Sequence, residues 1–429
     1  MKFLLACYGT RGDVEPGVAV GRELQRRGHE VCIAVPPDLT GFAESAGLSA
    51  VGFGLETQAW LDTYRNAWVS IFRNFWKIQE RRRLNAELMA QVTRCWEEIT
   101  TTLTSLADGF DLLLSGLSFQ QAAVNVAEYH GIPLATFYYR PVQANGQLLP
   151  FVPGALARSA MRFNQWLSWR MGAKKINDAQ RHKLGLPKAT GPAPQRIAER
   201  GSLEIQAYDE VCFPGLATEW AKRDVKRPFV GAMTLELPTD ADEEVAAWIS
   251  AGTPPIFFSF GSTPLESTGD TFAMISAACA KLGERALICG GWSDFSGISH
   301  PEHVKVVSAV NFAAVFPACR AVVHHGGSGT TATSLRAGVP TLILWTMADQ
   351  PLWGLVVKRL KVGTARRFST TTQKSLLADL RTILEPQYVA RARAVAAQMS
   401  KPAASIAAAA DLLEENARVG LIGEGKSSK

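Results

Sequence analysis

The sequence lacks the features that mark secreted, zinc-binding or membrane-spanning proteins. Its seven cysteines are scattered and form no CxxC pair, which argues against a disulfide framework and a zinc site. No apolar run approaches the roughly 18 residues of a membrane-spanning helix, and the run FLLAC after Lys2 is too short for a signal peptide. We therefore expect a cytoplasmic protein, and peripheral contact with the inner membrane surface stays open.

Several ligand-binding patterns are also missing. The net charge of +6 is weak and dispersed, so a nucleic-acid partner is not expected. The glycine-rich stretch VVHHGGSGTT contains no GKS or GKT and so is not a P-loop. No GxGxxG opens the first strand-helix unit, which disfavours a dinucleotide-dependent oxidoreductase. The C-terminal half has no convincing DxD-type metal pair, because the DAD at 240–242 falls in a predicted linker.

The pattern of apolar runs predicts the fold class. The chain of 429 residues is long enough for two domains, and short apolar runs alternate with helical patterns in both halves. We predict an α/β protein with two Rossmann-like, doubly wound domains facing a central cleft. The runs predicted as strands lie at 3–7, 30–36, 48–54, 111–116 and 133–139 in the first half, and at 254–262, 285–291, 304–310, 320–327 and 340–345 in the second.

The domain bounds follow from a change of composition in the middle of the chain. Residues 216–240 contain prolines and mixed charges without clear periodicity, which is typical of a linker. We therefore predict a first domain at 1–215 and a second at 241–400. Residues 401–429 should form a closing helix and a flexible tail.

A glycine-rich loop in the second half is the main candidate for ligand binding. The stretch VVHHGGSGTT ends a predicted strand and opens a predicted helix, whose free N–H groups suit a phosphate. Glycines would let the backbone approach the phosphate closely, and the imidazole and hydroxyl groups would add hydrogen-bond donors. A plain capped turn before a helix is the alternative, and the choice between His324 and His325 is open. The residues that we assign to this phosphate site are His324, Gly327, Ser328, Gly329 and Thr330.

Two further segments follow predicted strands and should lie at the same sheet edge as the glycine-rich loop. Asp349 and Gln350 follow the strand TLILW, and a carboxylate beside an amide suits sugar hydroxyls. A polar turn before Pro351 is the alternative. Ser262, after IFFSFG, could supply a second hydroxyl to a phosphate.

These motifs resemble a known family. HHGGSGTT, RAGVP and ADQP, together with the N-terminal GTRGDVEPGVAVGRELQRRGHEV, are similar to family 1 glycosyltransferases of the GT-B fold. The similarity is greatest to the branch with sterol, glycopeptide-antibiotic and bacterial glycolipid glycosyltransferases. It implies an N-terminal acceptor domain, a C-terminal nucleotide-sugar domain, and metal-independent transfer of a hexose with inversion. The co-substrate would be a UDP- or dTDP-sugar, and no cofactor is implied.

The resemblance also assigns roles to individual residues. Asp13 corresponds to the catalytic carboxylate of the branch, although an aspartate there could equally cap the following helix. From its place beside Asp13, Arg11 could reach the donor diphosphate or position the loop, with an exposed loop arginine as the alternative, and Gly12 is assigned to the same diphosphate. The backbone near Val310 is assigned to the nucleotide base. The tryptophan that stacks on the base in many relatives is missing there, so the choice between UDP and dTDP stays open. Trp292 could lie near the base, although core packing is the preferred interpretation.

The stretch 60–83 is unusually aromatic. A helix here would place aromatic side chains on one face and Arg73, Lys77 and Arg81 on another. The aromatic face could bind a hydrophobic, hydroxyl-bearing acceptor, contact a membrane, or simply pack on the sheet. The residues that we assign to the acceptor are Trp60, Tyr64, Trp68 and Phe72. A nucleotide-sugar 2-epimerase and a non-catalytic glycosyltransferase partner are the alternative functions.

Overall fold

The computed structural model contains twelve described strands in two parallel sheets. It describes residues 1–57, 78–148, 152–222, 227–261, 263, 265, 267–295, 297–346 and 349–424. The strands are β1 (Lys2–Ala6), β2 (Glu30–Val35), β3 (Ser49–Gly52), β4 (Leu112–Ser115), β5 (Leu134–Tyr138), β6 (Leu203–Gln206), β7 (Ile256–Ser259), β8 (Ala286–Cys289), β9 (Val304–Val307), β10 (Ala321–His324), β11 (Thr341–Trp345) and β12 (Gly363–Arg367).

The helices alternate with these strands, as the sequence predicts. They are α1 (Arg11–Arg26), α2 (Thr40–Ser45), α3 (Ile78–Leu106), α4 (Gln120–His130), α5 (Gly154–Ser168), α6 (Lys174–Lys183), α7 (Ala193–Glu199), α8 (Leu216–Ala221), α9 (Asp242–Ser250), α10 (Thr268–Leu282), α11 (Phe312–Val315), α12 (Ser328–Ala337), α13 (Gln350–Arg359), α14 (Gln373–Ile383), α15 (Pro386–Ala396) and α16 (Pro402–Glu424).

Both sheets have the same strand order. The first sheet runs β3-β2-β1-β4-β5-β6, and the second, read from its β9 edge, runs β9-β8-β7-β10-β11-β12. Each is the 3-2-1-4-5-6 order of a Rossmann fold. The apolar runs FLLA, LLL, IFF and AVV are buried on both faces, as parallel strands covered by helices require. The predicted α/β class with two Rossmann-like domains is confirmed.

Two strands were not predicted, and both lie at a sheet edge. The central strands are short apolar runs, but β6 reads LEIQ and β12 reads GTARR. Glu204 of β6 is 1% exposed and is paired with Arg227 at 2.8 Å. In β12, Arg366 pairs with Asp379 of α14. Both strands contain charged residues whose partners are distant in sequence. The strands therefore lack the apolar run by which the other strands are predicted.

The chain divides into two compact units that are not continuous in sequence. Unit 1 comprises residues 1–207, 215–230 and 403–429, and unit 2 comprises 208–214 and 231–402. The predicted linker 216–240 is thus shared between the units. Its first part forms α8 in unit 1.

Helix α16 belongs to unit 1 although it ends the chain. Asp411 and Glu414 pair with Arg27 and His29 at the end of α1. The predicted closing helix is present, and the tail at 425–429 lies outside the described residues. Among the described helices, none has the length and apolarity needed to span a bilayer.

Candidate active site

Asp13 lies in the first turn of α1, just after β1, at the point where the strand order of the first sheet reverses. The chain crosses from β1 to β2 on one side, and β4 pairs with β1 on the other. In open α/β sheets, ligands bind at this switch point beyond the carboxyl ends of the strands. Asp13 is half-buried there in the first turn of α1. This position fits the predicted base.

The carboxylate also caps the helix. The Thr10 N–H donates to Asp13 Oδ2 at 2.8 Å, and the Thr10 hydroxyl donates to the same oxygen at 3.1 Å. This contact forms a capping box at the start of α1. The helix begins at Arg11 with Thr10 as its N-cap, so Asp13 is the N3 residue of the capping box and not the cap of a helix that starts after it. The catalytic role stays a prediction that is compatible with this contact.

Gly9 makes room for the Asp13 carboxylate. This role of Gly9 is not predicted from the sequence. Its φ of +141° is one that residues with a side chain rarely adopt. A Cβ atom at position 9 would lie 2.3 Å from Asp13 Oδ2. The only signal in the sequence is a glycine shortly after the first strand.

We expect Gly9→Ala to destabilise the protein by about 1–3 kcal/mol and to slow its reaction, because the new methyl group must displace the Asp13 carboxylate. Gly47→Ala is the matched control, since Gly47 also has a positive φ, +87°, but a methyl group added there would meet nothing within 4 Å. Denaturant unfolding of both variants measures the difference. Equal stability losses would show that backbone strain alone, and not contact with Asp13, sets the effect.

Two neutral side chains adjoin Asp13. The Tyr139 hydroxyl donates to the Asp13 carbonyl oxygen at 2.8 Å. Burial, assisted by the charge of Asp13, raises the pKa of Cys7 to about 12. Burial, together with the nearby Cys7 and Asp13, also raises the pKa of Tyr139 well above its usual value. Both groups stay protonated at neutral pH, so neither competes with Asp13 for the predicted role of base.

Arg11 and Gly12 lie exposed at the start of α1. Arg11 is 3.5 Å from Glu15, and its guanidinium lies over the Phe42 ring at 4.7 Å. A Cβ atom on Gly12 would meet Thr10 Oγ1 at an ordinary 3.8 Å. Packing therefore does not require glycine at position 12, and the assignment of both residues to the diphosphate stays a prediction.

The glycine-rich loop joins β10 to α12, at the switch point of the second sheet. Gly327 is the N-cap of α12 and has no side chain to accept hydrogen bonds from the first turn. Ser328, Gly329 and Thr330 follow and are half-buried. The hydroxyl of Thr331 instead donates back to the Gly327 carbonyl oxygen at 2.8 Å. The helix start therefore presents its N–H groups and positive dipole to any anion bound there.

His324 is fully buried at the end of β10. The Gly326 N–H donates to His324 Nδ1 at 3.0 Å, so the neutral ring carries its proton on Nε2. That buried Nε2 has no hydrogen-bond partner among the described residues. Burial, and secondarily the neighbouring His325, lowers the pKa of His324 well below its usual value. His324 is thus a neutral donor beside the helix start.

His325 packs between two loops of unit 2. A Cβ atom on Gly261 would lie 2.6 Å from His325 Cε1, and one on Gly327 would lie 2.7 Å from Nε2. The loops after β7 and β10 therefore meet around this ring. Burial lowers the pKa of His325 to about 4, although the charge of Asp349 partly opposes the shift.

We expect folding stability to fall as the pH is lowered from about 6.5 toward 4. An unfolded histidine binds a proton near pH 6.5, whereas His325 in the folded protein resists protonation down to about pH 4. The stabilisation is therefore complete above the unfolded pKa and is lost in acid. His325→Asn should flatten this slope in denaturant titrations, and the same change at exposed His300 should not. Equal slopes in all three proteins would contradict this role of His325.

Asp349 and Gln350 lie at the start of α13, after β11. Gln350 is buried, and its Oε1 accepts from the Thr346 N–H at 2.7 Å and from the Thr346 hydroxyl at 3.0 Å. A Cβ atom on Gly326 would lie 3.2 Å from Gln350 Cβ. This contact places Gln350 against the glycine-rich loop, as the sequence predicts. Because its oxygen holds the turn after β11, the turn suggested as an alternative is also present.

Trp292 differs from the expectation of core packing. It follows β8, its backbone N–H donates to the Gly261 carbonyl oxygen at 3.2 Å, and the residue is 41% exposed. The loop after β8 thus brings an exposed indole to the sheet edge that carries His325. Val310 is buried after β9, and Asn311 next to it caps α11. The predicted role of Val310 toward a base stays a prediction.

Five of the predicted site residues lie outside the described part of the chain. They are Ser262 and the acceptor candidates Trp60, Tyr64, Trp68 and Phe72. Within the part that is described, no group of three or more His, Cys, Asp or Glu side chains could hold a metal ion.

Two domain families match this chain. Residues 3–144 match the glycosyltransferase family 28 N-terminal domain. Residues 293–414 match the C-terminal domain described as erythromycin biosynthesis protein CIII-like. The first match contains Asp13, and the second contains the glycine-rich loop and Asp349.

Relatives cover nearly the whole chain. An uncharacterized glycosyltransferase of Mycobacterium tuberculosis is 60% identical over 97% of this chain and 99% of its own length. Glycosyltransferase GtfE of Amycolatopsis orientalis is 31% identical over 96% of this chain and 97% of its own. A sterol 3-beta-glucosyltransferase of Arabidopsis thaliana is 28% identical over 90% of this chain and 63% of its own.

Solved structures share the fold at low identity. The glycosyltransferase of kitacinnamycin has a TM-score of 0.71 and 19% identity, and covers 97% of this chain and 98% of its own. Glycosyltransferase VinC, solved in complex with dTDP, has a TM-score of 0.65 and 19% identity, and covers 97% and 100%. Fold and relatives together define a glycosyltransferase. The chain belongs to the family 1 glycosyltransferases of the GT-B fold.

Proposed function

We propose that the protein transfers a hexose from UDP or dTDP to a hydroxyl of a hydrophobic acceptor, with inversion at the anomeric carbon. One observation carries the donor half of this proposal. The start of α12 has a glycine N-cap, and the adjacent neutral His324 has a buried Nε2 without a partner among the described residues. A diphosphate supplies the acceptor oxygens that both features suit.

Asp13 acts as the general base. Its carboxylate accepts the proton of the acceptor hydroxyl while the hydroxyl oxygen attacks the anomeric carbon. The bond from that carbon to the diphosphate oxygen breaks on the opposite face, so the configuration inverts. The proton ends on Asp13 and the electron pair ends on the nucleoside diphosphate. The Thr10 N–H and hydroxyl hold the carboxylate in place.

The leaving diphosphate is stabilised by neutral donors and a helix dipole. We place the diphosphate at the N–H groups of Ser328, Gly329 and Thr330 and at the imidazole of His324, because such donors stabilise the charge that develops on the leaving group. On this basis we propose transfer that needs no metal. Equal rates with and without a chelator would support this point, and loss of activity restored by Mg²⁺ would contradict it.

The sugar and the base take neighbouring positions in unit 2. Asp349 and Gln350 bind sugar hydroxyls, supported by the contact of Gln350 with the glycine-rich loop. The base lies near Val310, after β9. Support for dTDP comes from the solved complex of VinC with dTDP, and the sterol glucosyltransferase relative supports a hexose.

The acceptor is a glycolipid, phenolic lipid, sterol or similar hydrophobic molecule. This proposal is supported by the aromatic stretch 60–83 in the sequence and by the sterol glucosyltransferase relative. We place the protein in the cytoplasm, in peripheral contact with the inner membrane surface, where a lipidic acceptor is accessible. No observation on the described residues favours the epimerase or the auxiliary-subunit alternative.

Thermal unfolding with UDP, dTDP and GDP tests the donor site without knowledge of the acceptor. A ligand that binds only the folded protein stabilises it, by about 2.7 kcal/mol at 100 times its Kd. We expect stabilisation by UDP or dTDP and little by GDP. If none of the three raises the melting temperature, the proposed donor site is wrong.

A further inference from the structure

Helix α5 in unit 1 exposes a row of large apolar side chains. Leu156 is 62% exposed, Phe163 is 61% exposed and Trp166 is 41% exposed. Phe163 and Trp166 are stacked, with ring centroids 6.1 Å apart. Their spacing of seven and three residues places them on one side of the helix. Met171, in the turn that continues the helix, is 77% exposed.

The opposite side of α5 is fixed to unit 1. Ala157 is 1% exposed, and Gln165 donates to the Val142 carbonyl oxygen at 2.8 Å. Arg158 pairs with Glu219 of α8 at 3.1 Å. These anchors hold the helix in an orientation that keeps the apolar row outward. Such exposure of large side chains on a rigid helix marks an interaction surface.

The charge around this row has a single sign. Residues 154–177 contain Arg158, Arg162, Arg170, Lys174 and Lys175 and no aspartate or glutamate. Arg158 and Lys174 are engaged by Glu219 and Asp178. The side chains of Arg162, Arg170 and Lys175 are exposed beside the apolar row.

We infer that this face docks on an anionic lipid surface. It is defined by Leu156, Arg162, Phe163 and Trp166 of α5, by Arg170 and Met171 in the turn that follows, and by Lys175 at the start of α6. Apolar side chains enter the boundary between headgroups and acyl chains, and basic residues beside them attract anionic headgroups. Docking through this face deepens the membrane contact proposed above and rests on that proposal, but it does not depend on the transfer chemistry.

Charge complementarity favours lipid over a second copy of this chain. A symmetric dimer through this face would bring the same basic residues of two copies together, which costs free energy. An anionic bilayer instead compensates every one of these charges. A single α-helical row between basic flanks also matches the flat, extended shape of a membrane interface.

Vesicle flotation of the full chain tests the inference. The probes are vesicles of phosphatidylcholine alone and of phosphatidylcholine with phosphatidylglycerol. We expect the wild type to bind the anionic vesicles, with binding weakened by salt. The double variant F163S/W166S should lose about tenfold or more of this binding. R162Q/R170Q should lose about tenfold on anionic vesicles and show little remaining preference over neutral ones.

Leu355→Ser is the matched control, because Leu355 in unit 2 is as exposed as Leu156, at 63%. It should bind vesicles like the wild type. Melting temperatures with and without dTDP show that each variant is folded and that donor binding is unaffected, which separates this test from the donor-site test. Absence of wild-type binding, or equal binding by F163S/W166S, would overturn the inference. A concentration-dependent dimer that F163S/W166S abolishes would likewise overturn it in favour of self-association.

Discussion

Asp13→Asn should lower the rate of sugar transfer by about 10²–10⁴-fold, the range that a general base contributes. Asparagine has nearly the same shape, and its side-chain oxygen can still accept from the Thr10 N–H that now lies 2.8 Å from Asp13 Oδ2. The helix cap is therefore largely preserved while the proton acceptor is lost. The rate of transfer to a model phenolic or sterol acceptor measures the effect. Binding of dTDP should change little.

Thr10→Ala separates the two roles of this contact. It removes the hydroxyl that donates to Asp13 at 3.1 Å and keeps the backbone N–H. We expect a stability loss of about 1 kcal/mol, typical of a lost cap, with most of the transfer rate retained. If Asp13→Asn and Thr10→Ala lowered the rate equally, Asp13 would be a structural cap and not the base.

Ser328→Asp should weaken the binding of UDP and dTDP by about 100-fold. The new carboxylate would stand at the start of α12, where we place the diphosphate. Like charges about 4 Å apart repel by about 4 kcal/mol at an effective dielectric constant of 20, and part of this survives at a half-buried position. The same carboxylate should stabilise the free protein by about 0.3–1 kcal/mol, since it complements the helix dipole.

The opposite signs of these two effects make the variant informative. Titration calorimetry measures nucleotide affinity, and denaturant unfolding measures stability. Ser328→Ala removes the hydroxyl but keeps the N–H, so its affinity should fall much less. Gln373→Asp adds an acid to the first turn of α14 and should leave affinity unchanged. Unchanged nucleotide affinity in Ser328→Asp would show that the diphosphate does not lie at α12.

The sequence was sufficient for the central strands and for the edge strands β3 and β9, and insufficient for the edge strands β6 and β12. Runs such as FLLA and AVVH are buried on both faces, so their composition alone marks them as strands. In β6, by contrast, Glu204 is buried only because Arg227 neutralises it. The membership of α16 in unit 1 depends on pairs such as Arg27 with Asp411, which are distant in sequence. Periodicity carries no information on such partners.

The same division applies to the candidate site. The glycine-rich loop directly follows a strand, so strand order and chemistry suffice to select it, whereas Asp13 lies soon after a strand and is selected with the help of the family resemblance. The clearance at Gly9 and the Tyr139 contact with Asp13 depend on exact backbone positions. The different environments of His324 and His325 arise from the meeting of the loops after β7 and β10. The sequence alone cannot distinguish the environments of these two neighbouring histidines.

A crystal structure of the protein with dTDP or UDP would decide where the diphosphate lies, on which the proposed chemistry depends. We predict diphosphate oxygens within hydrogen-bonding distance of the N–H groups of Ser328, Gly329 and Thr330, and one of them on His324 Nε2. A nucleotide bound with its diphosphate away from the start of α12, and with His324 Nε2 still without a partner, would contradict this prediction.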